Sequence, residues 1–364
     1  MTDSITVGSA PLERTIAAIV QAGGSSDAEA QEVAVSLVQA NLFGHDSHGV
    51  GMIPRYVESL QEGGLKPNQQ PRIVLDIGTL LTLDGNSGYG QTVGRTAMGL
   101  AIERAKRHGS CIMALGNAHH LGRIGRYAEQ AVAAGLVSIH FVNVMSRPIV
   151  AAWGGGSGRF GTNPCCIGVP VAGADPFVLD FATSVVAQGK MRVAHNKGER
   201  APAGRLIDDN GAPTTDPRYV VVPPYGALMP FGEHKGSGLA LACELLGGAL
   251  AGGGTWRHEY KGERRVLNGM LTILIDPARI GSGAAFEQEV SGFLDWLRQA
   301  PTAAGFDRMR IAGEPERETR AERLAAGVPI DQTTWREIIA AGEKVGISAA
   351  TTRATAQLGA GAAP

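Results

Sequence analysis

The sequence predicts a mixed α/β fold with discontinuous domains, and three observations carry that prediction. Hydrophobic residues make up 44% of the 364 positions and charged residues 18%, the balance of a chain that buries a core. Segments of helical period alternate with short β-branched and apolar runs, and glycines mark the boundaries. No G-x-G-x-x-G fingerprint joins a strand to a helix: the nearest set, Gly116, Gly122 and Gly125, has the wrong spacing.

The elements follow in order. The N-terminal stretch reads helical, and Ser26-Asp27-Ala28-Glu29 has the form of a capping box. Val33, Leu37 and Val38 then share an apolar face, so this helix runs to about residue 42 and stops before Gly44. A second helix covers 53–60 before Gly63-Gly64, and strands over 72–83 end at the Asp84-Gly85 turn. A helix over 91–108 closes at Gly109, followed by a strand over 111–115 and a polar loop over 116–120. A helix over 123–134 and a strand over 137–144 come next. Residues 161–216 read as sheet and loops, 239–250 as a small-residue helix, and 271–275 as a strand. Helices over 286–298 and 333–342 complete the pattern, and the tail beyond Gly346, poor in large apolar residues, is expected to fray.

A formal net charge of -1 provides no long-range field for nucleic acid or an anionic membrane, which leaves a small anionic substrate open. Cys111, Cys165, Cys166 and Cys243 form no C-x-x-C pair and no zinc spacing with histidine, so they are expected to be buried thiols and no metal is expected. With no leader pattern and no apolar run long enough to span a bilayer, the expected location is a reducing cytoplasm.

Three histidine segments carry candidate chemistry. His45-Asp46-Ser47-His48-Gly49, with Arg55 nearby, offers a hydroxyl, an imidazole and a cation, a set that orients a carboxylate and shuttles a proton. Asn117-Ala118-His119-His120-Leu121-Gly122-Arg123 lies between a strand and a helix, where catalytic groups often sit. Pro230-Phe231-Gly232-Glu233-His234-Lys235-Gly236 precedes a helix whose N-terminus suits an anion. Each also reads as an ordinary solvated turn or cap, and spacing alone does not separate the two readings.

Taken in order with Phe160-Gly161-Thr162-Asn163-Pro164, with 176–184 and with Pro213-Thr214-Thr215-Asp216-Pro217, these segments resemble the malate/L-lactate dehydrogenase family, which is distinct from the Rossmann-type lactate and malate dehydrogenases. The resemblance covers about residues 12–342. It implies a non-Rossmann fold, in which a largely antiparallel nucleotide-binding sheet is flanked by helices and a helical part is built from both termini. The parts implied are an N-terminal helical part over 1–75, a nucleotide-binding and substrate region over 76–285, a C-terminal helical part over 286–346 packing with the first, and a flexible tail over 347–364. It also implies a homodimer with active sites near the subunit interface.

The activity implied is interconversion of a 2-oxo acid and its 2-hydroxy acid with NAD, or with NADP. Catalytic candidates are Ser47, His48 and His120, with His48 favoured as the acid/base and His120 as a substrate contact or alternative base. Arg55 and Tyr56 are implied substrate contacts. Cofactor contacts fall on His48, on Gly122, Arg123 and Ile124, on Val178, Leu179, Asp180, Phe181 and Ala182, and on His234, Lys235 and Asn268. Gly313, Glu314, Pro315 and Glu316 complete that set as a turn. An acidic group near the adenosine ribose favours NAD, whereas Lys197 and Arg200 argue for NADP. Met52 stands where many members have arginine, His119 stands before His120 where many have asparagine, and Asn143-Val144 replaces Asn-Ser; these departures bear on the substrate pocket. The alternatives are a reductase of cyclic imine carboxylates, a ureidoglycolate dehydrogenase, and a binding protein that keeps the fold without catalysis.

Overall fold

A computed structural model describes residues 4–256, 266–281 and 283–358. The chain opens with β1 (Ser4–Val7), α1 (Ser9–Ala22), α2 (Asp27–Leu42) and α3 (Ile53–Gln61). β2 (Arg72–Ile77), β3 (Leu80–Asp84), α4 (Gly90–His108), β4 (Ser110–His119), α5 (Gly125–Ala133) and β5 (Val137–Met145) follow. Then come β6 (Val150–Ala151), β7 (Gly158–Phe160), β8 (Cys165–Val169), β9 (Phe177–Phe181), α6 (Gln188–Asn196), β10 (Leu206–Ile207), β11 (Pro213–Thr214), β12 (Ala227–Leu228) and α7 (His234–Cys243). The last elements are β13 (Leu267–Ile275), α8 (Gly283–Arg298), α9 (Glu314–Ala326), β14 (Val328–Asp331), α10 (Gln332–Lys344) and α11 (Ala349–Thr355).

Local chemistry accounts for the boundaries. Ser26 Oγ accepts from the Glu29 amide at 3.4 Å and starts α2. The Glu29 carboxylate does not complete the box; it accepts from Ser25 Oγ at 2.7 Å and from the Asn68 amide at 2.6 Å, tying α2 to the chain after α3. Gly109 ends α4 with φ +91°, a left-handed stop. Asp331 caps α10 by accepting from Thr334 N at 2.9 Å.

Four expectations change. The polar loop expected over 116–120 is strand as far as His119, because β4 pairs with β3 at Gly116 and with β13 at Ala118 and His119. The 161–216 region holds a helix, α6, as well as strands. The expected turn at Glu314-Pro315-Glu316 is the first turn of α9, where proline is tolerated because the first helical N–H groups need no partner. The tail expected to fray carries α11: Ser348 Oγ accepts from Thr351 N at 3.1 Å, and Thr352 and Ala356 are buried. Residues 359–364 of that tail lie outside the described residues.

The central sheet has seven strands in the order β2-β3-β4-β13-β5-β8-β9. Only β3 and β4 run parallel; the other five pairings are antiparallel. Helices α4 and α5 cover one face, burying Val93, Met98, Tyr127 and Ala128 with Met113, Leu115 and Met270 of the sheet. On the other face, α7 continues into a wider π-helical turn over Glu244–Leu250 that lies on β5 and β13. A smaller sheet, β11-β10-β12-β6-β7, packs its core around Val150, Leu206 and Leu228.

The third layer is built from both ends of the chain. β1 pairs antiparallel with β14, and Leu12, Ile16, Val33, Leu37, Ile53 and Tyr56 share a core with Val328, Trp335 and Ile338. In α8 the one buried residue is Leu294, while Phe293 and Trp296 are exposed.

His140 of β5 is fully buried, its Nδ1 2.9 Å from Thr272 Oγ1, and burial pushes its pKa down to about 3. Its folded pKa lies below its unfolded value, so its contribution is fully present above about pH 6.5 and is lost as pH falls toward the folded value. Unfolding free energy is expected to drop by about 2 kcal/mol between pH 7 and pH 5 through this residue alone. Urea titrations at both pH values, comparing wild type with His140→Gln, check this: the variant's pH slope should be shallower.

Candidate functional site

The first histidine segment forms a short 3-10 turn, Asp46–His48, that leaves α2 at Gly44. Two bonds hold the turn: Asn41 Nδ2 donates to Asp46 Oδ1 at 2.6 Å, and Arg323 of α9 pairs with the same carboxylate at 2.6 Å. Asn41 Oδ1 accepts from Val50 N at 2.8 Å, which fixes the segment's exit. Ser47 Oγ lies 3.0 Å from His48 Nδ1, and a Cβ at Gly189 of α6 would come 2.8 Å from Ser47 Cβ, so α6 seats directly on this turn.

The second segment arrives from the end of β4. His120 is buried, and its ring stacks on that of His48 with centroids 5.6 Å apart and planes 14° from parallel. Its Nδ1 lies 2.7 Å from the Tyr56 hydroxyl, which accepts from Gln91 Nε2 at 2.6 Å. His119, also buried, accepts from Val266 N through Nε2 at 3.3 Å and meets Tyr56 edge-on. Asn268 ties this end of β4 to the sheet: its Oδ1 accepts from Leu121 N at 2.8 Å, and its Nδ2 donates to Asn143 O at 2.9 Å. Asn143 Oδ1 in turn accepts from Gly269 N at 2.8 Å.

Burial lowers the pKa of both stacked histidines. For His48 burial acts first and the His45 ring second, Asp180 opposes them, and the value is pushed down to about 4. His120 is also lowered, by burial and then by His48 and His119. Both rings are therefore neutral at neutral pH in the resting protein.

Asp180 and Arg123, whose charges act on His48, line a cavity of about 120 Å³ together with Phe43, Glu129, Pro176, Val178, Gly313, Glu316 and Arg317. Five residues expected at the cofactor meet here: Arg123, Val178, Asp180, Gly313 and Glu316. The Arg123 guanidinium lies 4.2 Å from the centre of the Phe43 ring and pairs with Glu129. Asp180 Oδ2 accepts from Gly125 N at 2.7 Å, so a carboxylate already sits on the α5 N-terminus, where a helix end would otherwise suit an anion. Glu316 lies 3.8 Å from His45 Nε2, and that contact holds its carboxyl below the usual carboxylate range.

Other expected contacts stand apart from this cavity. Glu314 accepts from Ile311 N at 2.9 Å and from Arg298 at 3.2 Å. His234 and Lys235 open α7, where the Trp153 ring meets His234 edge-on at 5.6 Å. Arg55 is 3.9 Å from Glu58 on its own helix, and Arg200 pairs with Asp216 at 3.3 Å. Gly122, Ile124, Leu179, Phe181, Ala182 and Pro315 flank the cavity-lining residues in sequence. Sequence reasoning missed Phe43, Gln91 and Arg317. Gln91 was readable only as the first residue of a helix, and nothing local marked its contact with Tyr56, 35 positions away.

The cysteines are all buried, and burial pushes Cys111 and Cys165 up to about 11 and Cys243 up to about 12. Among the described residues no helix is long and apolar enough to cross a membrane.

Comparison with known proteins identifies the family. The model of the malate/L-lactate dehydrogenase family matches residues 7–339. Hydroxycarboxylate dehydrogenase B of Escherichia coli O157:H7 is 44% identical over 348 residues, covering 95% of this chain and 96% of that protein. An L-lactate dehydrogenase of Cupriavidus necator is 41% identical, covering 85% and 89%. A solved E. coli structure described as a malate/lactate dehydrogenase superposes with a TM-score of 0.92 at 43% identity, over 97% of this chain and 99% of that one. The chain belongs to the malate/L-lactate dehydrogenase family, a family of hydroxy acid oxidoreductases.

Proposed function

We propose that the protein interconverts a 2-oxo acid and its 2-hydroxy acid with NAD or NADP, with His48 as acid/base. The observation that carries this reading is the stacked His48–His120 pair together with the cavity of Arg123, Asp180 and Glu316, two of whose charges act on His48. That cavity fits part of a dinucleotide: Pro176, Val178 and Phe43 give it an apolar wall, and both cations and carboxylates line it. Asp180 and Glu316 would accept from hydroxyl or amide groups of the nucleotide, and Arg123 and Arg317 would face its phosphates. The bound nicotinamide would supply or accept the hydride.

The chain's own task is the proton. As carbon 2 of the oxo acid is reduced, the substrate oxygen takes a proton from His48; in the reverse direction His48 takes it back. A neutral His48 is ready for the oxidation direction. In reduction, the substrate carboxylate beside the ring favours the imidazolium and offsets the burial that lowers its pKa. Arg55 and Tyr56 stay candidates for holding the substrate, directly or through His120. The exposed Leu241, Leu245 and Leu250 along α7 and its continuation support a homodimer that covers this face. The reading includes a cytoplasmic location, where the buried thiols stay reduced.

The test is a panel of 2-oxo acids and cyclic imine carboxylates assayed with NADH and NADPH. Turnover of at least one 2-oxo acid above all imines is expected. Turnover confined to imines would replace the reaction, and absence of nucleotide binding by calorimetry would point to the binding-protein alternative.

A further inference from the structure

The two stacked histidines are held differently. Ser47 is exposed and its hydroxyl is free to rotate, so His48 Nδ1 is able either to accept from it or to donate to it. His120 has no such freedom. Tyr56 and Gln91 are both buried, and burial raises the Tyr56 pKa, so the phenol keeps its proton. The Tyr56 oxygen accepts from Gln91 Nε2 at 2.6 Å, and its own proton then points to His120 Nδ1 at 2.7 Å. A neutral imidazole that accepts at Nδ1 carries its hydrogen on Nε2. In that form Nε2 has no lone pair with which to take a proton, but it is a good donor to a carbonyl oxygen.

We propose that Gln91 is a positioning residue that fixes, through Tyr56, the proton of His120 on Nε2, so that His120 donates a hydrogen bond to the substrate oxygen while His48 alone exchanges the proton. This rests on the hydroxy acid reading above and divides the labour between the two histidines. Turning the Gln91 amide over would reverse the chain: its oxygen would accept from Tyr56, and His120 Nδ1–H would donate to the phenol oxygen. The two arrangements differ in which nitrogen is protonated, and that is measurable. The ionisable groups against this chain are His48 and His119 beside His120, and Tyr89 and Tyr127 beside Tyr56.

The experiment is proton–nitrogen correlation NMR on the full chain with nitrogen-15 histidine, assigned with His120→Gln, together with steady-state kinetics of Gln91→Glu. Wild type is expected to show His120 protonated on Nε2 and not on Nδ1. In Gln91→Glu an ionised carboxylate only accepts, so Tyr56 must donate to it and His120 must switch to Nδ1–H. A protonated carboxyl would still donate, as the amide does. The variant should therefore gain a new pH dependence, with kcat near wild type at low pH and about 10²-fold lower once the carboxyl ionises, while KM for the nucleotide stays constant. If Gln91→Glu does not fold, the wild-type spectrum decides, with Tyr56→Phe expected to give a mixture of both His120 tautomers. Nδ1–H in the wild-type protein, or a Gln91→Glu profile that parallels wild type at every pH, would overturn the proposal. If wild type turns over no 2-oxo acid the assigned reaction fails, yet the tautomer is still read; normal turnover with Nδ1–H leaves the reaction standing and removes Gln91 from it.

Discussion

Replacing His48 with asparagine is expected to lower kcat by roughly 10²–10⁴-fold, the usual loss when a positioned acid/base is removed. Asparagine keeps a polar group of similar reach next to Ser47 but has nothing to titrate. Nucleotide affinity should fall far less than kcat, because His48 is only one of the implied cofactor contacts and the cavity of Arg123, Asp180 and Glu316 is formed by other side chains. The pH profile of kcat should also lose the limb that His48 contributes. The measurement is kcat against pH for wild type and variant, with nucleotide binding followed by calorimetry. A variant that kept wild-type turnover across pH would remove His48 from the reaction.

The second large effect is expected from one methyl group. A Cβ at Gly90 would fall on the backbone carbonyl oxygens of His119 and His120. Gly90 begins α4, whose body packs on the sheet, and the two carbonyls belong to the end of β4 that delivers His120. Neither partner is a flexible side chain, so Gly90→Ala is expected to cost about 1–3 kcal/mol through overpacking. It is also expected to lower kcat by displacing His120 from Tyr56. Gly99 on the same helix is the control, because a Cβ there meets nothing within 4 Å. Gly99→Ala should raise stability by about 0.5–1 kcal/mol, the helical advantage of alanine over glycine. Denaturant midpoints and kcat for the two variants check the pair. Equal stability of both alanine variants would show that the β4–α4 contact yields more easily than its geometry indicates.

Much of the fold was legible because it is encoded locally. The Ser26 cap, the apolar face of α2 and the Gly109 stop each act within a few residues, and each element lies where its pattern put it. What failed was encoded at a distance. His119 reads as loop because Asn117-Ala118-His119-His120 is polar; it is strand because β13, about 150 positions away, pairs with it. The same holds for the site. Family motifs named His48, His120, Arg123, Val178, Asp180, Gly313 and Glu316, and the structure brings the last five together around one cavity and stacks the first two. Gln91 belongs to no motif, and its contact with Tyr56 exists only once α4 has docked beside α3. The α5 N-terminus teaches the converse lesson: a free helix end looks like an anion site, but Asp180 from β9 already supplies the anion.

The pairing of β1 with β14 has a consequence for how the enzyme comes into being on the ribosome. Val7 faces Val328 across that ladder, so the layer that carries Ser47 and His48 shares its core with residues synthesised long after them. Closing so long a loop is entropically costly, and the contact is made late. A nascent chain interrupted before residue 328 would hold every histidine named above and still lack the wall that supports them. Such a fragment is expected to be inert and readily degraded, and activity should appear only once β14 has been synthesised. β14 thus acts as a checkpoint on the message, since a product shortened before it has no assembled centre with which to act.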